Sequence, residues 1–271
     1  MIAPAFLLIL ASVLGLSSAT LPKGAIQGTG HTVGFGELKE EWRGEVIHLS
    51  WSPRAFLLKN FLSDEECEHL ISKAKPRMAK SSVVDNNTGK SVDSQIRTST
   101  GTFFARAEDD VITRIEKRVA QVTMIPKDNQ EGMQILNYHD GQKYEPHFDF
   151  FHDQLNARPE NGGQRVVTVL MYLTTVEEGG ETVFKREGED FGNRTIADWR
   201  SCSDGLGVKV KPKQGDAVLF WSTTPDLELD PHSLHGACPV IKGEKWSAAK
   251  WIHEKPLMRN RHRSTRSVNK N

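Results

Sequence analysis

Apolar positions recur along this chain with two different periods, and each period predicts a different kind of element. Ser63-Asp64-Glu65-Glu66 forms a capping box, in which Ser63 can bond an early backbone N–H while Glu66 reaches back. It opens a helix through about Ala74 that Pro76 ends. A second helix is expected from Glu108 to Val122, where acidic residues crowd the first turn and Val111, Ile115, Val119 and Val122 recur on one face. Beyond Met133 the pattern changes to short β-type runs, namely Met133–Tyr138, Arg165–Leu173, Gly207–Val210, Ala217–Trp221 and Trp246–His253, separated by Gly, Pro and Asp clusters. Helices followed by closely spaced strands give an α+β, mainly β fold: a β-barrel or jelly roll with flanking N-terminal helices.

The ends of the chain break this pattern. None of the first 22 residues is charged, and the apolar run Phe6 to Leu16 leads into Ser17, Ser18 and Ala19, small residues that suit a signal-peptidase cut. Residues 1–19 read as a signal peptide or, if left uncut, a signal anchor. Five glycines between Thr20 and Glu37 mark residues 20–39 as a tether, leaving residues 40–255 as the folded domain. Residues 256–271 form a basic, solvated tail. Lys+Arg and Asp+Glu balance at 35 each, so no net charge draws the protein to nucleic acid.

A secretory route allows oxidised cysteines and glycans. Three cysteines, Cys67, Cys202 and Cys238, permit at most one internal disulfide, and Cys238 is either a packed thiol or half of that bond. Asn86 and Asn193 open acceptor sequons in polar, loop-like sequence. Expected placements are the endoplasmic reticulum lumen, as a type II anchored or cleaved protein, or the Golgi. Membrane association would come only through an uncleaved N-terminus, and the oligomeric state is left open.

The chemistry centres on Tyr144-Glu145-Pro146-His147-Phe148-Asp149. Strand geometry sends residues two apart to the same face, so the His147 imidazole and Asp149 carboxylate converge. His235 follows 86 residues after Asp149, a separation that a barrel closes by placing a later strand opposite the first. Two His and one carboxylate leave open positions on an octahedral metal, an arrangement suited to non-haem Fe(II) and O2. His139, His152 and His232 compete for this role: His152 lies an odd five residues from His147, and His232 follows the turn Asp230-Pro231. Further on, Lys245, Ser247, Ala249 and Trp251 share one strand face, and a buried ammonium among them needs an anionic partner. A dicarboxylate such as 2-oxoglutarate could chelate iron at its keto-acid end and meet Lys245 at the other.

Several ordered motifs together resemble the prolyl 4-hydroxylase family, most closely its short plant and green-algal members. They are Leu136-Asn137-Tyr138-His139-Asp140-Gly141-Gln142-Lys143-Tyr144-Glu145-Pro146-His147-Phe148-Asp149, then Gly179-Gly180-Glu181-Thr182, then His235-Gly236-Ala237-Cys238-Pro239-Val240 and Lys245-Trp246, with Asp93-Ser94-Gln95-Ile96-Arg97-Thr98-Ser99 adding to the likeness to the short members. The likeness covers roughly Arg54 to His253, with the metal and cosubstrate core at about 130–253. It implies a double-stranded β-helix in which His147, Asp149 and His235 hold Fe2+ and Lys245 holds 2-oxoglutarate. By the same resemblance, Tyr138, Thr182 and Trp251 line the 2-oxoglutarate pocket, while Tyr144, Arg165 and His253 lie near the peptide proline. The reaction implied is 4-hydroxylation of proline in proline-rich polypeptides such as hydroxyproline-rich cell-wall glycoproteins, with O2 as cosubstrate and L-ascorbate restoring oxidised iron. Lysine at position 245, where lysyl hydroxylases are expected to carry arginine, argues against that related activity. The alternatives are a 2-oxoglutarate oxygenase acting on another substrate and a metal-free jelly-roll module that binds proline-rich peptides.

Overall fold

Ser63 does cap a helix. Its hydroxyl accepts from the Glu66 amide at 3.2 Å while the Glu66 carboxylate accepts from the Ser63 amide at 3.1 Å, and α1 runs Asp64–Ala74. The computed structural model describes residues 42–84, 91–93, 97–184 and 207–257. These residues belong to a compact unit that begins at Glu41. The expected signal segment, tether and most of the tail lie outside them, as do Asn86, Asn193 and Cys202. Among the described residues no helix is long and apolar enough to cross a membrane.

Helix α2, Asp110–Thr123, starts two residues later than expected because Asp109 is its N-cap, accepting from the Ile112 amide at 2.8 Å. Its buried stripe keeps the expected Ile115 and Val119 and differs only at its ends. Ile112, Ile115 and Val119 are fully buried, with Val111 and Val122 only partly covered. Asp109 further pairs with Lys73 at 3.1 Å and His69 at 2.9 Å, tying α2 to α1. Burial opposes its ionisation, but the Ile112 amide, His69 and Lys73 outweigh that and hold the carboxyl down at about 2. Asp109→Ala is therefore expected to lower stability by about 1 to 2 kcal/mol at neutral pH in urea unfolding. A carboxyl with a depressed pKa stabilises the fold above its ordinary value near 3.8 and loses that contribution as pH falls through about 2. The deficit of the variant should shrink over that acid range.

Twelve strands make up the two sheets that matter for the site: β1 (Val46–Trp51), β2 (Arg54–Leu58), β3 (Ala79–Lys80), β4 (Thr100–Phe104), β5 (Met133–Tyr138), β6 (Tyr144–His147), β7 (Arg165–Tyr172), β8 (Thr182–Phe184), β9 (Val208–Val210), β10 (Ala217–Trp221), β11 (His235–Ala237) and β12 (Lys245–His253). The larger sheet has the order β1-β2-β10-β7-β12-β5-β4-β3 and the smaller β9-β8-β11-β6. All pairings within both are antiparallel. Sequence periodicity anticipates β5 and β10 at their observed bounds and β7, β9 and β12 to within a residue.

Both faces of the larger sheet are covered. Val167, Val169, Met171, Ala248 and Ile252 pack with α1 and α2, whereas Tyr172, Val218 and Phe220 pack with Phe184 and Val210 of the smaller sheet. The result is two antiparallel sheets face to face with helices behind the larger one, the jelly-roll arrangement of a double-stranded β-helix. All nine residues of β12 are buried. Lys250, on the helix side, is satisfied by Glu116 of α2 at 2.9 Å and by the Glu131 carbonyl. Lys245, Ser247, Ala249 and Trp251 face the other way, into a pocket between the sheets, as their alternation requires.

Candidate metal and cosubstrate site

The pocket opens where β6 and β11 run side by side. His147, the last residue of β6, lies directly across from His235, the first of β11. Pro146 is tolerated in β6 because this is the edge strand of the smaller sheet, where a missing N–H breaks no inner ladder. Asp149 lies past the end of β6, in a bend, so the expectation of one continuous strand through both residues is corrected. The bend still turns its carboxylate inward. Oδ1 is 3.6 Å from His147 Nε2 and Oδ2 is 3.7 Å from His235 Nε2, and one donor atom from each residue falls within 4.8 Å of the others.

Three features prepare these groups for a metal. Nδ1 of His147 donates to the Glu145 carbonyl at 2.8 Å and Nδ1 of His235 to the Ser233 carbonyl at 2.9 Å. A carbonyl only accepts, so the proton of each neutral ring is fixed on Nδ1 and the Nε2 lone pairs face the cluster. Burial, aided by His235, pushes His147 down to about 3 and keeps it neutral. Asp149 stays ionised: burial works against it, but the two imidazoles, Arg165 and the Thr168 hydroxyl at 2.7 Å outweigh burial. Two imidazoles and one carboxylate on one side of a pocket are the donor set expected for Fe(II).

His232 is no part of this cluster; its Nδ1 lies 3.2 Å from Asp230 Oδ1. His139 is exposed and faces Glu244 at 3.6 Å, while His152 packs on Phe148 and Phe150.

Lys245 stands in the same pocket, only 1% exposed. Its ammonium donates to the Gly180 carbonyl at 2.7 Å and lies 5.5 Å from the Tyr138 ring, but it forms no ion pair among the described residues. Burial pushes it down to about 7, with Glu181 opposing only in part. Tyr138, Thr182 and Trp251 line the pocket as expected. Thr182 accepts from the Tyr172 hydroxyl at 2.8 Å, which leaves its own proton to donate inward. The buried Trp251 Nε1 has no acceptor among the described residues. A buried ammonium with no ion-pair partner among the described residues, a directed hydroxyl and an indole N–H with no acceptor among them together fit an anionic, oxygen-rich ligand such as 2-oxoglutarate.

The three residues expected near the peptide divide. Tyr144 lines the pocket, stacked on His147 with ring centroids 3.6 Å apart. Arg165 and His253 do not line it; both bind Glu131, at 2.5 Å and 2.7 Å. Arg165 also stacks on Trp251 and reaches the Asp149 carbonyl at 3.4 Å. Glu131 was missed by sequence reading, since an isolated glutamate before a strand carries no local signal. Arg97, whose guanidinium covers the Tyr144 ring at 4.7 Å, stands in the run Asp93 to Ser99 that adds to the family resemblance, but the sequence assigns it no role.

Comparisons with known proteins agree with this geometry. A family model for the 2OG-Fe(II) oxygenase superfamily matches residues 133–253. Among Arabidopsis thaliana proteins, "Probable prolyl 4-hydroxylase 3" is 56% identical over 225 residues, 83% of this chain and 77% of that one. "Prolyl 4-hydroxylase 5" is 54% identical over 219 residues, 79% and 74% of the two chains. In structure the chain is similar to a viral collagen prolyl hydroxylase of Paramecium Bursaria Chlorella virus-1 solved with 2OG. The TM-score is 0.52 at 30% identity, covering 73% of this chain and 94% of that one. The fold, the site and these relatives place the chain in the prolyl 4-hydroxylase family of 2OG-Fe(II) oxygenases.

Proposed function

We propose that this protein 4-hydroxylates prolyl residues in proline-rich polypeptides, using Fe(II), O2 and 2-oxoglutarate, with ascorbate maintaining the iron. The observation that carries this reading is that one pocket is lined both by the His147, Asp149 and His235 donors and by the buried Lys245, which forms no ion pair among the described residues. Iron would supply the O2 activation and redox chemistry. The chain's own residues do the rest: His147, Asp149 and His235 hold the metal, and Lys245 and Thr182 orient the dicarboxylate. Tyr144 and Trp251 exclude water from the reacting end. A polyproline II segment suits such a site, because its fixed conformation loses little entropy on docking against aromatic walls. Arg165 and His253, held together by Glu131 beside the pocket, are the proposed contacts for the peptide.

The proposed compartment is the endoplasmic reticulum lumen. Its support is the uncharged, apolar N-terminus, the two sequons and the disulfide formed by Cys238, a bond that persists in oxidising surroundings. Cys67 is the free, buried thiol.

The test is 2-oxoglutarate decarboxylation with Fe(II) and ascorbate on a poly-proline peptide and on a lysine-containing control, with product analysis. Peptide-stimulated turnover that yields 4-hydroxyproline supports the reading. Turnover with the control alone would sink the proline assignment and keep the oxygenase.

A further inference from the structure

One oxygen of Asp149 is already engaged. Thr168, on the pocket side of β7, donates from Oγ1 to Asp149 Oδ2 at 2.7 Å, and the two residues are 2% and 8% exposed. A carboxylate can bind a metal through one oxygen or chelate it through both. The difference decides how many of six coordination positions stay open. Two imidazoles and a one-oxygen carboxylate leave three, enough for a two-donor keto acid and O2; a chelating carboxylate leaves two.

We infer that Thr168 is a positioning residue that restricts Asp149 to one-oxygen ligation and so keeps the third position open. The inference rests on His147, Asp149 and His235 being the iron ligands. The charge-assisted hydrogen bond draws electron density from Oδ2 and fixes the plane of the carboxylate. Oδ2 also lies 3.7 Å from His235 Nε2, so chelation would put a metal bond on the oxygen that already accepts from Thr168, and the hydroxyl competes for that oxygen's electron density. Two constraints make the arrangement stiff. Threonine is branched at Cβ, so its χ1 is restricted. The Asp149 backbone is held by Arg165, whose Nη1 donates to its carbonyl at 3.4 Å. Neighbouring Val167 and Val169 turn to the opposite face, into the helix-side core, which fixes the register that points Thr168 at Asp149.

The test loads the protein with Co(II), whose visible absorption responds to the ligand set and geometry around it, and compares wild type with Thr168→Val, Thr168→Ala and Thr168→Ser. Val keeps the shape without the donor, Ala covers the case in which Val fails to fold, and Ser restores the donor. Wild type and Thr168→Ser are expected to share one spectrum. The donor-free variants should show a changed spectrum, bind 2-oxoglutarate to the Co(II) protein about tenfold less tightly, and release little succinate, with or without peptide, when reloaded with Fe(II). A donor-free variant with the wild-type spectrum and 2-oxoglutarate affinity overturns the inference. So does one that only binds Co(II) more weakly with an unchanged spectrum, since the hydroxyl would then merely steady the carboxylate. A wild type that binds no Co(II) would instead overturn the ligand assignment beneath it.

Discussion

His147→Ala is expected to abolish peptide hydroxylation, lowering kcat/KM by at least about 1000-fold, equivalent to about 4 kcal/mol of lost transition-state stabilisation. The size of the effect follows from how the ring is held. Its Nδ1 is tied to the Glu145 carbonyl and its Nε2 faces Asp149 at 3.6 Å, so no nearby side chain replaces it. His232→Ala is the matched control, because that ring lies against Asp230 outside the cluster. Product analysis for 4-hydroxyproline checks both variants. Equal losses in the two would mean that the cluster is not the metal site.

The second large effect is at Lys245. Lys245→Met removes the ammonium and nearly keeps the volume, and the KM for 2-oxoglutarate should rise roughly 30-fold to several thousandfold, as when one member of a buried charge pair is truncated at about 2 to 5 kcal/mol. The unliganded variant should be at least as stable as wild type, since an unpaired buried charge has been replaced by an apolar chain. The pH dependence has a definite sign. Burial lowers the ammonium to about 7, so above that pH the free pocket holds mostly neutral lysine. A bound carboxylate favours the charged form, so binding at pH 8 takes up a proton and affinity falls as pH rises through 7. Calorimetric binding enthalpies should then vary with the ionisation enthalpy of the buffer for wild type and not for Lys245→Met.

Much of this site was legible because its chemistry sits in local patterns. The alternation Lys245, Ser247, Ala249, Trp251 predicts a shared face, and the pocket lining bears it out. The His147 and Asp149 pairing was right in outcome although the strand ends at His147. Strands of three or four residues, such as β6, β8 and β11, are too short for alternation to show, and β6 contains a proline besides. The hairpin of β1 and β2 escaped for another reason: β1 is an edge strand with Val46 and Trp51 exposed, so its apolar pattern does not mark a buried face. Thr168 and Glu131 act on residues 19 and 34 positions away, and only the closed fold brings such partners together.

The two lysines of β12 bear on how the chain finds its alignment. They are five residues apart, hence on opposite faces, and each has its own acceptors: Gly180 for Lys245 and Glu116 for Lys250. A slide of β12 by one residue against β5 and β7 would turn Lys245 into the helix-side core and Lys250 toward the pocket, with neither meeting its acceptor. Apolar side chains on both faces would tolerate that error, since one aliphatic residue replaces another. The charged pair does not, so the strand that carries the pocket lysine also polices its own register during folding.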